Sequence, residues 1–227
     1  MLFEGMKVGS DVLARLRECF AARRPVCLIG PPGAGKTVLA QRLVQLLPPL
    51  TAEQAGDLRL IHSFAYGRDT SVEEPPFRAP HHTVSTAGLV GTVTARPAHK
   101  DWDPDRKEVR IIPAGLTVYL GEATLAHRGI LFLDELAEFR REALETVVRV
   151  ARDGREVIQR NGGRDIFTFP ASVQLVGASN PCPCGWAGMV DGKCRCSPDM
   201  VERYLARIPK VFERVVIDRD TVVRRAP

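Results

Sequence analysis

Residues 30–37 read GPPGAGKT, and no other stretch of the 227-residue chain restricts its fold as strongly. A short apolar run, Val26-Cys27-Leu28-Ile29, precedes the motif, and KTVLAQRLVQLL carries it onward with apolar residues at Val38, Leu39, Leu43, Leu46 and Leu47. The first run has the length and β-branched content of a strand; the second has helical spacing. Strand, glycine-rich loop and helix in that order form a phosphate cradle. Gly33 and Gly35 reach backbone conformations closed to residues with a Cβ, so successive N–H groups can turn toward one anion. The helix N-terminus adds partial positive charge at the same point. The expected ATP contacts are Gly30, Pro31, Pro32, Gly33, Ala34, Gly35, Lys36, Thr37 and Val38. Lys36 is expected to reach the β- and γ-phosphates and the Thr37 hydroxyl to hold Mg²⁺.

A second segment, GILFLDELAEF (129–139), complements the first. Ile130 to Leu133 form a continuous apolar run, as a strand buried on both faces does. It ends in Asp134-Glu135, and the carboxyl end of a central parallel strand is where open α/β sheets bind ligands. Asp134 is expected to orient Mg²⁺ and Glu135 to polarise the attacking water. SVQLVGAS reads as another buried strand with Asn180 just past its end, where an amide would face the γ-phosphate. The plainer alternatives are acids at a solvated helix start and an Asn in a turn before Pro181.

The rest of the chain fits one α/β domain over 1–227. DVLARLRECFAA (11–22) is an amphipathic helix with Ser10 or Asp11 as its expected cap. Pro48-Pro49 stops the helix after the glycine loop, and Thr51 with Gln54 predicts a capping box for TAEQAGDLRLIHSF. PPFRAPHHTVSTAGLVG (75–91) reads as an edge strand and a short helix. Residues 92–118 suggest a β-hairpin inserted into a helix, with the turn sequence DWDPD and Pro104 at its tip; a surface loop is the alternative. REALETVVRVARDG predicts a helix closed by Gly154. REVIQR-NGG-RDIFTF (155–169) carries the strongest short hairpin signal, Asn161-Gly162. Ser197-Pro198 reads as cap and first residue of a helix PDMVERYLARI, and RVVID (214–218) as the last strand.

Charge and cysteine usage narrow the setting. A net charge of +5 permits nucleic-acid binding without demanding it. Arg96, Lys100, Arg106, Lys107, Arg110, Arg155, Arg160 and Arg164 on the two hairpins could follow a nucleic-acid backbone, and Trp102 could stack on a base; solvated hairpin faces are the alternative. No apolar run is long enough to span a membrane, and MLFEGMKVGSDV does not read as a signal peptide, so a cytoplasmic location is expected. There, six cysteines argue against disulfides and raise the question of metal. Cys182, Cys184, Cys194 and Cys196 in the loop 182–196 have the spacing of a four-thiolate Zn²⁺ site. Reduced thiols in a solvated loop are the alternative. Cys19 and Cys27 read as core residues.

Taken together, GPPGAGKT, IHS, PFRAPHHT, TLAHRGILFLDEL, NPCPCG, RYLARI and VFER resemble the AAA+ ATPases of the magnesium-chelatase-like group, nearest the ComM/YifB branch linked to natural transformation. The resemblance spans about residues 8–218 and is carried most specifically by FRAPHH and NPCPCG. It implies a P-loop NTPase core, a three-layer αβα sandwich with parallel strand order 5-1-4-3-2. It also implies that the 92–118 hairpin is a helix-2 insert and the 155–169 hairpin a pre-sensor-1 element, both facing a ring's central pore. Asn180 would be sensor 1. Arg214 in VFER would be the arginine finger acting on a neighbour's ATP, with Arg207 as runner-up. Self-association through a shared ATP site, a hexamer when complete, follows from the same resemblance. A Lon-like domain and a helical lid, both carried by that branch, are not read in this sequence; the two readings are a fragment of a longer protein and a core whose lid, as a partner, comes from another polypeptide. The leading function is an ATP-hydrolysing motor acting on DNA. The alternatives are an ATP-dependent remodeller of a protein partner and an ATP-binding switch with little turnover. The resemblance assigns no role to His81 and His82.

Overall fold

The computed structural model describes residues 6–103, 108–112, 114–160, 164–188, 194–217 and 222–224. The Pro104 and Asn161-Gly162 turns, Arg106, Lys107, Asp218 and the side chains of Trp102 and Arg110 lie outside what it describes. The first half of the chain runs β1 (Met6–Val8), α1 (Ser10–Ala21), β2 (Val26–Ile29), α2 (Lys36–Arg42), α3 (Ala52–Tyr66), β3 (Phe77–Arg78), α4 (Thr86–Val90), β4 (Gly91–Arg96) and β5 (His99–Asp103). There follow β6 (Glu108–Ile112), β7 (Gly115–Leu120), α5 (Glu122–Leu125), β8 (Ile130–Leu133), α6 (Arg141–Asp153), β9 (Arg155–Arg160) and β10 (Asp165–Pro170). The chain closes with β11 (Gln174–Ser179), α7 (Pro198–Leu205), β12 (Glu213–Val216) and β13 (Val222–Arg224).

The central sheet has five parallel strands in the order β12-β2-β11-β8-β3. Counted along the chain from the strand before the glycine loop, that order is 5-1-4-3-2. Both faces are covered, and for that reason the strands read as unbroken apolar runs. Ile130 and Phe132 pack on one side with Leu16, Leu39, Leu43 and Val176. Leu131 and Leu133 pack on the other with Leu144, Val147 and Val150 of α6. These two cores make the three αβα layers of an AAA+ P-loop fold. The register sets Ile29 of β2 beside Ser179 of β11, and Gly177 beside Leu133 of β8. The carboxyl ends of three adjacent strands therefore converge.

Helix ends follow local chemistry. Thr51 Oγ1 accepts the Gln54 N–H, and the Gln54 side chain accepts the Thr51 N–H, so the capping box forms. Ser197 caps α7 through the Met200 N–H, and Gly154 ends α6 at φ 69°. The expected cap of α1 is corrected. Gly9 holds the cap position, because Ser10 and Asp11 already have helical geometry and their side chains bond each other at 3.0 Å. The helix after the glycine loop is shorter than its spacing suggests: from Leu43 to Leu46 it tightens into a 3-10 turn ahead of Pro48-Pro49. Likewise α7 stops at Leu205, three residues short of Ile208, and β12 occupies 213–216 rather than 214–218.

Two antiparallel ribbons stand apart from the sheet. β4 pairs with β7 and β5 with β6, between the short helices α4 and α5. The break between the pairs falls at Pro97, which has no N–H to give a ladder. β9 pairs with β10 from Arg155↔Pro170 to Arg160↔Asp165. The Arg160 guanidinium donates to the Val93 carbonyl and ties the two ribbons together. β1 and β13 also pair, antiparallel, which periodicity in such short segments does not announce.

Candidate functional site

The glycine loop joins β2 to α2, and its first N–H, on Gly30, donates to the Ser179 carbonyl at 3.2 Å. Gly33 and Gly35 sit at φ 80° and 84°, the left-handed region that only glycine enters without cost. Gly35 caps α2, and its carbonyl accepts the Leu39 N–H at 2.8 Å, so the helix begins at Lys36 with its N-terminus turned to the loop. Lys36 Nζ donates to the Gly30 carbonyl at 2.7 Å, the Pro31 carbonyl at 3.0 Å and Asn180 Oδ1 at 3.1 Å. Burial pulls the ammonium below its usual range, and the nearby Asp134 offsets only part of that fall. A lysine held this way has its charge concentrated at the loop.

Asp134 links the loop to the neighbouring strand. Its Oδ2 accepts the Thr37 hydroxyl at 3.0 Å and its Oδ1 accepts the Glu135 N–H at 2.9 Å. Glu135 occupies φ 53°, ψ 47°, an uncommon conformation for a side-chain-bearing residue. Its Oε2 lies 3.1 Å from His82 Nδ1. The His82 ring stands 4.1 Å from that of His81 and packs edge-on against Phe139. Lys36, Thr37, Asp134 and Asn180 are thus one connected set, with Glu135 and His82 at its margin. His82 is the member that sequence reasoning left without a role. Its place in FRAPHH was a signal, but nothing in the sequence states its distance from Glu135.

Other expected residues sit as follows. Arg214 is exposed on the edge strand β12 and donates to the Leu205 carbonyl at 3.0 Å. Arg207 faces Glu138 at 3.4 Å. Arg96, Lys100, Arg155 and Arg164 are exposed on the ribbons, whereas Arg160 is engaged with Val93. Cys19 and Cys27 are fully buried core residues, and burial pushes Cys27 up to about 12. Cys182, Cys184, Cys194 and Cys196 place their sulfurs within 4.8 Å of one another. No helix among the described residues is long and apolar enough to cross a membrane.

The fold and the loop define a P-loop NTPase of the AAA+ type. Within that class, the family described as magnesium chelatase, subunit ChlI, matches residues 10–101 and 93–224, so the chain belongs to this family. Its relatives place it in the ComM/YifB group. An uncharacterized protein of Mycobacterium tuberculosis is 39% identical over 210 residues, 88% of this chain and 36% of that protein. YifB of Salmonella typhimurium is 38% identical over 188 residues, 82% of this chain and 32% of YifB. Competence protein ComM of Haemophilus influenzae is 36% identical over 195 residues, 85% of this chain and 33% of ComM. The chain spans about a third of the length of each of these relatives.

Proposed function

We propose that this chain is the ATP-binding and ATP-hydrolysing core of an AAA+ motor that acts on DNA. The observation that carries the reading is the contact set joining Lys36 to Asn180 and Thr37 to Asp134 across three strand ends. Residues 30–38 cradle the phosphates through backbone N–H groups, and Lys36 supplies a positive charge at the β- and γ-phosphates. The donor set fits Mg²⁺, a hard cation that prefers oxygen ligands: Thr37 and Asp134 would hold it. Bound there, it would offset phosphate charge. Glu135 accepts a proton from the attacking water. His82 is a positioning residue, holding the Glu135 carboxylate at one end. Asn180 orients the γ-phosphate side of the site. Arg214, exposed on an edge strand, acts on the neighbouring subunit's nucleotide in a hexameric ring.

DNA as substrate is supported by the exposed cations Arg96, Lys100, Arg155 and Arg164 on two ribbons fastened to each other. The name of the relative ComM, a competence protein, agrees with it. The four-cysteine cluster we read as a Zn²⁺ site. The test is steady-state ATP turnover with and without single- and double-stranded DNA. Turnover that rises several-fold with DNA, is lost in Glu135→Gln with ATP binding kept, and is lost together with binding in Lys36→Ala supports the reading. Turnover indifferent to DNA and raised by a protein partner would replace DNA by protein as substrate, and ATP binding without turnover would leave a switch.

A further inference from the structure

The four thiols are not an isolated feature. Cys182 Sγ lies 3.4 Å from Cys184 Sγ and 3.8 Å from Cys194 Sγ, and Cys184 and Cys194 are 3.7 Å apart. A tetrahedron with metal–sulfur bonds of ~2.3 Å has sulfur–sulfur edges of ~3.8 Å, whereas a disulfide needs ~2.05 Å. The spacing is therefore that of ligands around one ion. Thiolates select zinc over the hard Mg²⁺ that suits the oxygen donors Thr37 and Asp134. Backbone N–H groups also turn inward. Ala187 donates to Cys182 Sγ at 3.3 Å, and the amides of Trp186 and Arg195 face Cys184. Such contacts hold sulfur ligands in place around a metal.

The cluster begins two residues after Asn180, the amide that meets Lys36. The residue after Cys184 packs its backbone on the glycine loop. Gly185 has φ 85°, and a Cβ there would stand 2.9 Å from Pro32 Cδ and 3.0 Å from Pro32 Cγ. Pro32 belongs to the phosphate-binding loop itself. One short segment thus carries the first two sulfurs, rests its backbone on the loop that cradles phosphate, and supplies the side chain that meets the P-loop lysine.

We propose that Cys182, Cys184, Cys194 and Cys196 bind one Zn²⁺ and that this ion sets the affinity of the nucleotide site, by fixing Asn180 against Lys36 and Gly185 against Pro32. The inference rests on the zinc reading given above and extends it from a structural ion to a determinant of ATP binding. Without the ion, the segment after β11 keeps the Lys36–Asn180 bond, the Gly185–Pro32 contact and the Gly185 N–H to Cys182 carbonyl turn bond, but loses the cross-link that ties its first two sulfurs to Cys194 and Cys196. Asn180 and Pro32 then sample more positions, and the ordering cost falls on the nucleotide.

The experiment uses the full chain. Elemental analysis should find close to one zinc per chain. Replacement by Co²⁺ should give the sulfur-to-cobalt charge-transfer bands of a tetrathiolate, and Cys196→Ser should lower their intensity by about a quarter or more, as one of the four thiolates is lost. ATP affinity is then measured by calorimetry on zinc-loaded protein and on protein stripped by a chelator that has been dialysed away. The stripped form should bind about tenfold more weakly, and stoichiometric zinc, but not Mg²⁺, should restore it. Gly185→Ala keeps all four thiols and keeps its zinc. Its Cβ crowds Pro32 at a positive φ, so this variant should also bind ATP about tenfold more weakly while fully metal-loaded. That arm does not depend on the stripped protein remaining folded. If no zinc is retained and cobalt gives no charge-transfer band, the zinc reading falls and the coupling with it. If zinc is bound, yet Gly185→Ala binds ATP as the parent does, the coupling is overturned and the zinc site stands.

Discussion

Acid should destabilise this protein through His127, and the geometry sets how much. The imidazole is buried just before β8, and its Nδ1 accepts the Ser172 N–H at 3.0 Å. That bond requires a neutral ring with its proton on Nε2; protonation would set one N–H against another. Burial first, then the neighbouring Arg128, against an upward pull from Asp57 that exceeds the downward one from Arg23, lower the group from 6.5 to about 4. The folded state therefore binds fewer protons than the unfolded state between those two values. Stability from this source is complete above the unfolded value and is lost as pH falls toward the folded one. Between pH 7 and pH 5 the linkage relation gives a loss of about 2 kcal/mol, and residual water access trims it to about 1.5 kcal/mol. His127→Gln keeps an acceptor for the Ser172 N–H but cannot titrate. Urea unfolding of both proteins at pH 7 and pH 5 isolates the effect. The parent should lose about 1.5 kcal/mol more than the variant on acidification, a few degrees in melting temperature for a chain of this size. Equal losses, within about 0.3 kcal/mol, would show that His127 titrates normally and that the Ser172 bond does not hold its tautomer.

Three further outcomes follow from the same geometry. Phe132 is 1% exposed and stacks on Phe77 at a centroid distance of 5.7 Å; Phe132→Ala should cost about 3–5 kcal/mol in urea unfolding, and a cost under about 1 kcal/mol would mean the strand is packed differently. Arg214→Ala should lower turnover by ~10³-fold with ATP binding intact, and mixing it with Lys36→Ala should restore part of the activity. Specific activity constant over a hundredfold dilution, with no rescue in the mixture, argues against a site shared between subunits. His82→Ala should lower kcat about tenfold with the ATP Kd unchanged, because only the hold on Glu135 is gone; an unchanged kcat would remove His82 from the site.

Much of this arrangement is legible in the sequence because its elements are strongly patterned. Val26–Ile29, Ile130–Leu133 and Gln174–Ser179 read as buried strands since helices cover both sheet faces and leave no polar alternation. Lys36, Thr37 and Asp134 are legible because the chemistry fixes residue types at short spacings. Strand order was not visible in the pattern and came from resemblance to a family. Helix ends were misread by a residue or more wherever two polar residues competed for a cap, as at Ser10-Asp11, or where a helix tightened before proline, as at Leu43–Leu46. What sequence withholds is any contact between segments far apart in the chain. The meeting of His82 with Glu135, of Gly185 with Pro32 and of Arg160 with the Val93 carbonyl all depend on tertiary approach.

The backbone at Glu135 shows why those contacts belong together. A non-glycine residue at φ 53° costs of the order of 1 kcal/mol, and such strain persists only where its surroundings impose it. Here the surroundings can be named. Asp134 Oδ1 holds the Glu135 N–H from one side while Oδ2 of the same carboxylate accepts from Thr37. His82 meets the far end of the Glu135 side chain. With its carboxylate shared between Thr37 and the Glu135 amide, Asp134 cannot follow a shift of the α2 N-terminus without moving Glu135. Movement of the glycine loop therefore reaches the Glu135 carboxylate, proposed above as the general base, through two hydrogen bonds. Asn180 brings β11 into the same chain of contacts by way of Lys36, and the cysteine segment bears on that loop from above Pro32. The proposed nucleotide site, metal site and general base are thus linked by a run of short contacts at the ends of three strands, and each of the three proposed roles constrains the other two.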